Sequence, residues 1–554
     1  MPKPLSVRRP WHPTVLLMVL SMWLATAGNL PLWSAIWRLP ETHGWHAGLT
    51  LVSLVMAVLA VTLSVLCLLL WPRWLKPVGL LLLVIATSSS YFMQSYGVVI
   101  DATMIANVAQ TDAREVYDLL SWSMLGYLLV GVLLPGLWLW QQPVRLVALG
   151  GLALRQLGLA LLALLLALLL IWLSFQDLAS LMRNHKSLRY MINPFNAIYA
   201  VARHGLGQAA QAQQPLQTIG MDARLAPPGP AAQASPLIVF VVGETARAAN
   251  FGLGGYARDT TPRLRELQQQ GDLVYFSQVT SCGTNTETSL PCMFSHLGRE
   301  AYQSSDARYE NLLDLLQRAG LAVLWLDNQS GCKGLCERVP NQVTRTLTQA
   351  GLCQDGECFD EIMLQVLPDQ LARLDPQRRA RGTVVVLHQM GSHGPAYYKR
   401  TPATFKPFQP ECTSSTLQDC QPAQIVNAYD NTLRYTDHFL SETVRWLQSE
   451  ARSRPTALLY VSDHGESLGE SGLYLHGMPY RIAPTEQTHV PMVVWLSAAM
   501  QRERSVRMDC VREQSQKKWS HDNLFHTLLN LSQVQTSLAS PTLDILAPCV
   551  AATH

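Results

Sequence analysis

Leu237-Ile238-Val239-Phe240-Val241-Val242 runs without a polar side chain into Gly243-Glu244-Thr245. A short, continuous apolar run rich in β-branched residues and ended by glycine describes a strand buried on both faces. The same grammar recurs at Leu321–Leu326, Thr383–Leu387, Ala457–Val461 and Pro491–Leu496. Helical patterns intervene, as at Pro262–Gln270 and Asn311–Ala319. Buried strands alternating with helices imply an α/β domain whose central, parallel-rich sheet is covered on both faces.

Such sheets bind ligands beyond the carboxyl ends of their strands. There the sequence concentrates carboxylates and imidazoles. The first strand runs into Glu244, and Ala457–Val461 runs into Ser462-Asp463-His464-Gly465-Glu466. Thr383–Leu387 runs into His388-Gln389-Met390-Gly391-Ser392-His393-Gly394, and Leu475-His476-Gly477 follows later. Two carboxylates and an imidazole suit Zn²⁺ with an open position. His388 taken alone is better explained as a satisfied strand-end histidine. A nucleophile is available in Ser281-Cys282-Gly283-Thr284-Asn285-Thr286-Glu287-Thr288-Ser289-Leu290-Pro291-Cys292, rich in hydroxyls and bounded by cysteines. A threonine hydroxyl is a weak nucleophile unless a metal or base lowers the cost of losing its proton.

Cys67 stands apart, and the other ten cysteines all follow residue 235. Their even number and close spacing suggest a disulfide framework in an oxidising compartment. CxxC pairs, the signature of a zinc–thiolate site, are absent. Proximity pairs Cys282 with Cys292, Cys332 with Cys336, Cys353 with Cys358 and Cys412 with Cys420; Cys510 with Cys549 follows only by elimination.

Upstream the composition changes. Of 554 residues 15% are charged, against about 25% in ordinary soluble domains. Five stretches lack Asp, Glu, Lys and Arg: 12–37, 47–71, 77–100, 119–144 and 156–175. Each could cross a hydrocarbon core, which takes about 20 apolar residues. Basic residues gather before the first span (Lys3, Arg8, Arg9), between the second and third (Arg73, Lys76) and between the fourth and fifth (Arg145, Arg155). The positive-inside rule puts the N-terminus in the cytoplasm, and five spans send the rest to the opposite side. Arg8-Arg9 and Ala25-Thr26-Ala27 also resemble a cleavable signal, but the apolar run continues to Trp37, which favours a retained helix. The expected organisation is a membrane domain over 1–175, an interfacial helix and linker over 176–235, and a catalytic domain over 236–554. A net charge of +3 argues against a nucleic-acid partner.

Several blocks together carry a resemblance: Gly243-Glu244-Thr245 with Arg247 and Asn250; Cys282 to Ser295; Gly391 to Tyr398; Ser462 to Ser467; and Tyr474 to Tyr480. They resemble the phosphoethanolamine–lipid A transferases of Gram-negative bacteria, the EptA type that includes the mobile colistin-resistance enzymes. The likeness extends to the five spans and the loop Asn107-Val108-Ala109-Gln110-Thr111-Asp112. It implies an alkaline-phosphatase/sulfatase-like catalytic domain with Thr286 as nucleophile and Glu244, Thr286, Asp463 and His464 as zinc ligands. His393 and His476 match positions for a second metal or for substrate. Ser330 and Lys333 match substrate-binding positions, and Asn107, Thr111 and Glu115 match membrane-domain residues that approach the head group. Asn285 and Glu287 flank the nucleophile, where an added carboxylate would alter metal stoichiometry or donor contacts.

The implied reaction moves phosphoethanolamine from phosphatidylethanolamine to a lipid A phosphate through a covalent threonine adduct. Surface negative charge falls, and polymyxin resistance follows. The resemblance also implies an inner-membrane, multi-pass protein with a periplasmic catalytic domain, embedded among membrane lipids and acting as a monomer. Transfer of phosphoethanolamine or glycerol phosphate to another envelope glycan is the nearest alternative, and a non-catalytic zinc- or lipid-binding sensor is the next. A sulfatase would need a cysteine or serine where Thr286 stands.

Overall fold

The computed structural model describes residues 9–39, 45–111, 113–227, 234–354 and 356–550, with the side chains of 45–47 and 113–115 excepted. Lys3, Arg8, Asp112 and the side chain of Glu115 lie outside the described residues. The chain forms two compact units, one of residues 1–105 and 120–205, the other of 106–119 and 206–554.

Among the described residues the first unit holds five helices long and apolar enough to cross a membrane: Pro13–Trp37, Gly48–Leu69, Pro72–Tyr96, Trp122–Gln141 and Leu149–Leu173. Two begin before the charge-free stretches. Proline tolerates the first helical position, so the third helix starts at Pro72 and carries Arg73 and Lys76 in its opening turns. Lys76 Nζ then donates to the Trp140 carbonyl at 2.7 Å, near the end of the fourth helix. The fifth starts at Leu149 and includes Arg155. Its packed side is small: Ala160, Ala163 and Ala167 are buried, the last two against Ala60, while Leu161, Leu165 and Leu168 are exposed. Small residues let helices approach closely where lipid already satisfies the larger apolar ones. The stretch after the fifth span forms the helices Phe175–Asn184 and Phe195–Ala212. Buried Asn29 and Asn193 fasten the turn between them to the first helix, with Asn29 donating to the Asn193 carbonyl and accepting from its N–H, both at 2.8 Å.

The second unit is built on eight strands: β1 (Leu237–Gly243), β2 (Leu273–Thr280), β3 (Ala322–Asp327), β4 (Asn341–Val343), β5 (Thr383–His388), β6 (Thr456–Ser462), β7 (His489–Leu496) and β8 (Trp519–Ser520). Their order across the sheet is β8-β2-β7-β6-β1-β5-β3-β4. The neighbours of β1 on both sides are parallel to it, and β7 alone runs against the rest. β1 is apolar throughout because it faces two cores. Ile238, Phe240 and Val242 enter one, and Leu237, Val239 and Val241 the other. Residues 206–236 are not all connector: Leu216–Gln217 and Arg224–Leu225 pair with short strands of the same unit. Disulfides join Cys282–Cys292, Cys332–Cys336, Cys353–Cys358, Cys412–Cys420 and Cys510–Cys549; Cys67 is buried and unbridged.

Candidate active site

Register alone makes Glu244 and Asp463 neighbours. Ser462 at the end of β6 is paired with Gly243 at the end of β1, and the next residue of each strand is the carboxylate. Both emerge at the carboxyl edge, where ligands of such sheets bind. Ligand atoms of Glu244, Asp463 and His464 lie within 4.8 Å of one another, and all three residues are fully buried. His464 Nε2 is 3.3 Å from Glu244 Oε1 and 3.4 Å from Asp463 Oδ2. Its other nitrogen, Nδ1, faces the Gly465 carbonyl at 3.0 Å. With Nδ1 held by that carbonyl, Nε2 is the nitrogen that faces the carboxylates and would give up its proton to a metal.

Thr286 completes the group. Its hydroxyl donates to Glu244 Oε2 at 3.0 Å and lies 3.3 Å from His464 Nε2. It opens the helix Thr286–Met293, whose start is fixed by the Asn285 side chain accepting from Thr288 N at 2.9 Å. The nucleophile oxygen therefore sits at the positive end of a helix.

The backbone is bent to deliver these groups. Thr245 is buried with φ of 61°, an unusual conformation for a branched residue, and its hydroxyl donates to Glu244 Oε1 at 2.5 Å. Gly391 has φ of 51°, and a Cβ there would lie 2.7 Å from the Glu244 carbonyl. Asp360 holds that loop by accepting from Met390 N and Gly391 N.

The charges are crowded in a way that suits a cation. Burial pushes the Asp463 carboxyl up to about 6, and the Glu244 charge adds to the push. Burial works against His464 ionisation, but Asp463 and Glu244 overcome it and lift the imidazole to about 10. Glu244 is held well below the usual carboxylate range, because hydrogen bonding and charge from His464 outweigh its burial. Asp463 Oδ2 is buried without a hydrogen-bond partner among the described residues. An orphaned carboxylate oxygen beside a second carboxylate and an imidazole fits a divalent metal, whose charge would replace the imidazole proton.

His476 and His393 adjoin this group. The His476 ring is centred 4.3 Å from His464 and 5.9 Å from His393. His476 Nδ1 lies 2.8 Å from Glu466 Oε2, and the Tyr397 hydroxyl donates to the other Glu466 oxygen at 2.5 Å. Ser330 shares a pocket with Gln329 and His393. Lys333 Nζ lies 3.5 Å from Ser330 Oγ. Asn107 and Thr111 meet each other, Thr111 Oγ1 donating to the Asn107 carbonyl at 2.8 Å. Gln110 of that segment touches the nucleophile's helix, donating to Glu287 Oε1 at 2.5 Å. Arg247 and Asn250 are scaffold. Arg247 Nε donates to Asn250, whose amide donates to Asp430.

Two contributors, Gln329 and His521, carry no motif. Gln329 Nε2 donates to Glu244 Oε2 at 3.0 Å. His521, fully buried, has Nε2 3.0 Å from the Ser462 carbonyl, and its Nδ1 accepts from Cys282 N at 3.1 Å. It ties the nucleophile loop to the strand that presents Asp463. His388 lies 3.0 Å from Asp327 Oδ2 through Nδ1, which makes it a paired strand-end histidine.

Comparisons with known proteins cover both units. Residues 236–534 match the sulfatase family model, and residues 58–208 match the model for phosphoethanolamine transferase EptA/EptB. Phosphoethanolamine transferase EptA of Salmonella typhimurium is 39% identical over 96% of each chain. Phosphatidylethanolamine transferase Mcr-1 of Escherichia coli is 38% identical over 88% of this chain and 90% of its own. The solved lipooligosaccharide phosphoethanolamine transferase A of Neisseria meningitidis superposes with a TM-score of 0.91 at 36% identity, covering 97% of this chain and 98% of that one. With identity of this order along nearly the whole chain, and the motif residues gathered at one strand edge, the protein belongs to the EptA-type phosphoethanolamine transferases.

Proposed function

We propose that this protein transfers phosphoethanolamine from phosphatidylethanolamine to a phosphate of lipid A, through a covalent adduct on Thr286. The observation that carries the reading is the Thr286 hydroxyl, buried at a helix start and 3.0 Å from Glu244 Oε2. Glu244, Asp463, His464 and Thr286 hold a zinc ion. When bound, zinc supplies the positive charge that polarises a phosphoryl oxygen and favours the threonine alkoxide.

Thr286 Oγ forms a bond to phosphorus while the bond from phosphorus to the glycerol oxygen breaks, and diacylglycerol leaves with the proton. An oxygen of the acceptor phosphate then attacks the same phosphorus and frees Thr286. Splitting the transfer this way lets one site serve two lipids in turn. The helix start offers its dipole to the phosphoryl oxygens, and Lys333, His393 and His476 offset charge developing there. The resemblance assigns Ser330, Asn107, Thr111 and Glu115 to the head group. Two lipid substrates account for a catalytic unit joined to five apolar helices. The distribution of basic residues and five disulfides support an inner-membrane protein with its N-terminus in the cytoplasm and its catalytic unit in the periplasm. Modification of lipid A lowers surface charge and confers polymyxin resistance.

The test uses purified full-length protein and phosphatidylethanolamine without acceptor. One equivalent of diacylglycerol should appear, with phosphoethanolamine on the peptide containing Thr286. Adding lipid A should discharge the adduct; an adduct that persists rejects lipid A as acceptor, and its absence rejects the covalent route.

A further inference from the structure

We infer that Glu287 selects the donor's head group, its carboxylate taking the ethanolamine ammonium while Thr286 takes the phosphorus. The inference rests on the phosphoethanolamine-transfer reading and adds the part of the site that distinguishes one head group from another.

Glu287 follows Thr286 in the first turn of the helix Thr286–Met293. Its two oxygens are unlike. Oε1 accepts an N–H from Gln110 Nε2 at 2.5 Å. Oε2 is shut off from solvent and has no hydrogen-bond donor among the described residues. Lys333 is close enough for its charge to act on Glu287, yet its Nζ lies 3.5 Å from Ser330 Oγ and leaves Oε2 unmatched. The carboxylate is thus held from one side and short of a donor on the other.

A carboxylate beside a phosphoryl group is repulsive on its own, because like charges this close disfavour each other. Phosphoethanolamine removes the conflict. Its ammonium is joined to the phosphate through two carbons, so a group bound at Thr286 carries its cation within reach of the adjacent side chain. An ammonium offers three N–H donors, and a charge-assisted bond to Oε2 uses one of them. Gln110 is exposed and bonds the other oxygen, so it steers the carboxylate without occupying Oε2. A first-turn acid also complements the helix dipole, but that role has no preference among lipid head groups.

The test compares two donors on one preparation of full-length, zinc-loaded protein. One is phosphatidylethanolamine; the other is phosphatidylpropanol, whose head group ends in a methyl instead of an ammonium. The readout is the ratio of the two kcat/KM values for diacylglycerol release, in which differences in folded fraction cancel. Wild type should favour phosphatidylethanolamine, and Glu287→Gln should lower the ratio about tenfold or more, as expected for loss of a charge-assisted bond. Glu287→Asp should restore part of it. A ratio unchanged in Glu287→Gln overturns the inference and leaves the transfer reading standing. A wild-type enzyme that releases no diacylglycerol from phosphatidylethanolamine overturns the transfer reading, and this inference with it.

Discussion

The floor of the site and its margin are made in different ways. The floor comprises Glu244, Asp463 and His464, each one or two residues past the end of a central strand and fully buried. Two parallel strands in register leave those side chains little choice of position. The margin comprises Ser330, Lys333, Glu287 and Gln110, brought from separate loops and helices and half-buried or exposed. The floor is set by hydrogen bonding of the sheet, which also orders the core; the margin is set by single side-chain contacts. Changes to the floor should therefore remove chemistry outright, while changes to the margin should shift which substrate is taken.

The largest loss should come from Thr286→Ala. Removing a covalent nucleophile typically costs on the order of a thousandfold or more in turnover. Diacylglycerol release by the purified variant should fall to background with its zinc content still above half that of wild type. Turnover near wild type would return the floor to a structural role.

Asp463→Asn separates charge from shape. It should weaken zinc binding by more than the roughly 10–100-fold that loss of an outer hydrogen-bond partner costs. The sign for metal-free stability is opposite. Burial and Glu244 push this carboxyl up to about 6 from an ordinary 3.8, so its ionised form is penalised in the fold; the penalty grows as pH rises from 3.8 to about 6 and is complete above that. At pH 8 metal-free Asp463→Asn should melt no lower than metal-free wild type. A lower melting temperature there would mean that the carboxylate itself supports the fold.

His521 tests whether the floor depends on a residue outside every motif. Burial holds its imidazole down, to about 3 from an ordinary value of 6.5. Its folded form stays neutral while the unfolded chain takes up a proton, so its contribution is full above 6.5 and is lost as pH falls toward 3. The slope is about 1.4 kcal/mol per pH unit across that window. His521→Gln should flatten the decline of melting temperature between pH 6.5 and 4. A decline as steep as in wild type would remove His521 as its source.

The floor was legible because its residues lie next to one another in the chain. Gly243-Glu244 and Ser462-Asp463-His464 each announce a strand end and a ligand together. The five apolar spans and most central strands were legible for the same reason, since burial on all sides leaves uninterrupted apolar runs. β2 was not anticipated, because its far end, Ser277-Gln278-Val279-Thr280, turns polar where the sheet nears its edge. β4 and β8 were missed because two or three residues give no period. The antiparallel direction of β7 cannot be read from its composition. Gln329, His521 and Gln110 escaped because their partners are distant in sequence: Gln329 reaches Glu244 across 85 residues and His521 reaches Cys282 across 239. No local pattern records such a contact.

Gln329 lies where the two regions meet, and its removal should have the smallest effect. Its side-chain N–H reaches Glu244 Oε2 at 3.0 Å, the same oxygen that accepts from Thr286. From the neighbouring position Ser330 lines the pocket that also contains His393. If Gln329 belongs to the floor, Gln329→Ala loosens Glu244 and lowers zinc affinity, by about tenfold for an outer partner at the weak end of its range. Excess zinc should then restore turnover with KM for phosphatidylethanolamine unchanged. If it belongs to the margin, zinc affinity should hold and KM should rise instead. Because Glu244 Oε2 retains the Thr286 donor in either case, we expect the first pattern. A zinc titration beside a donor titration on the same preparation decides between them, and a rise in KM at saturating zinc would move the boundary of the floor inward to Glu244 itself.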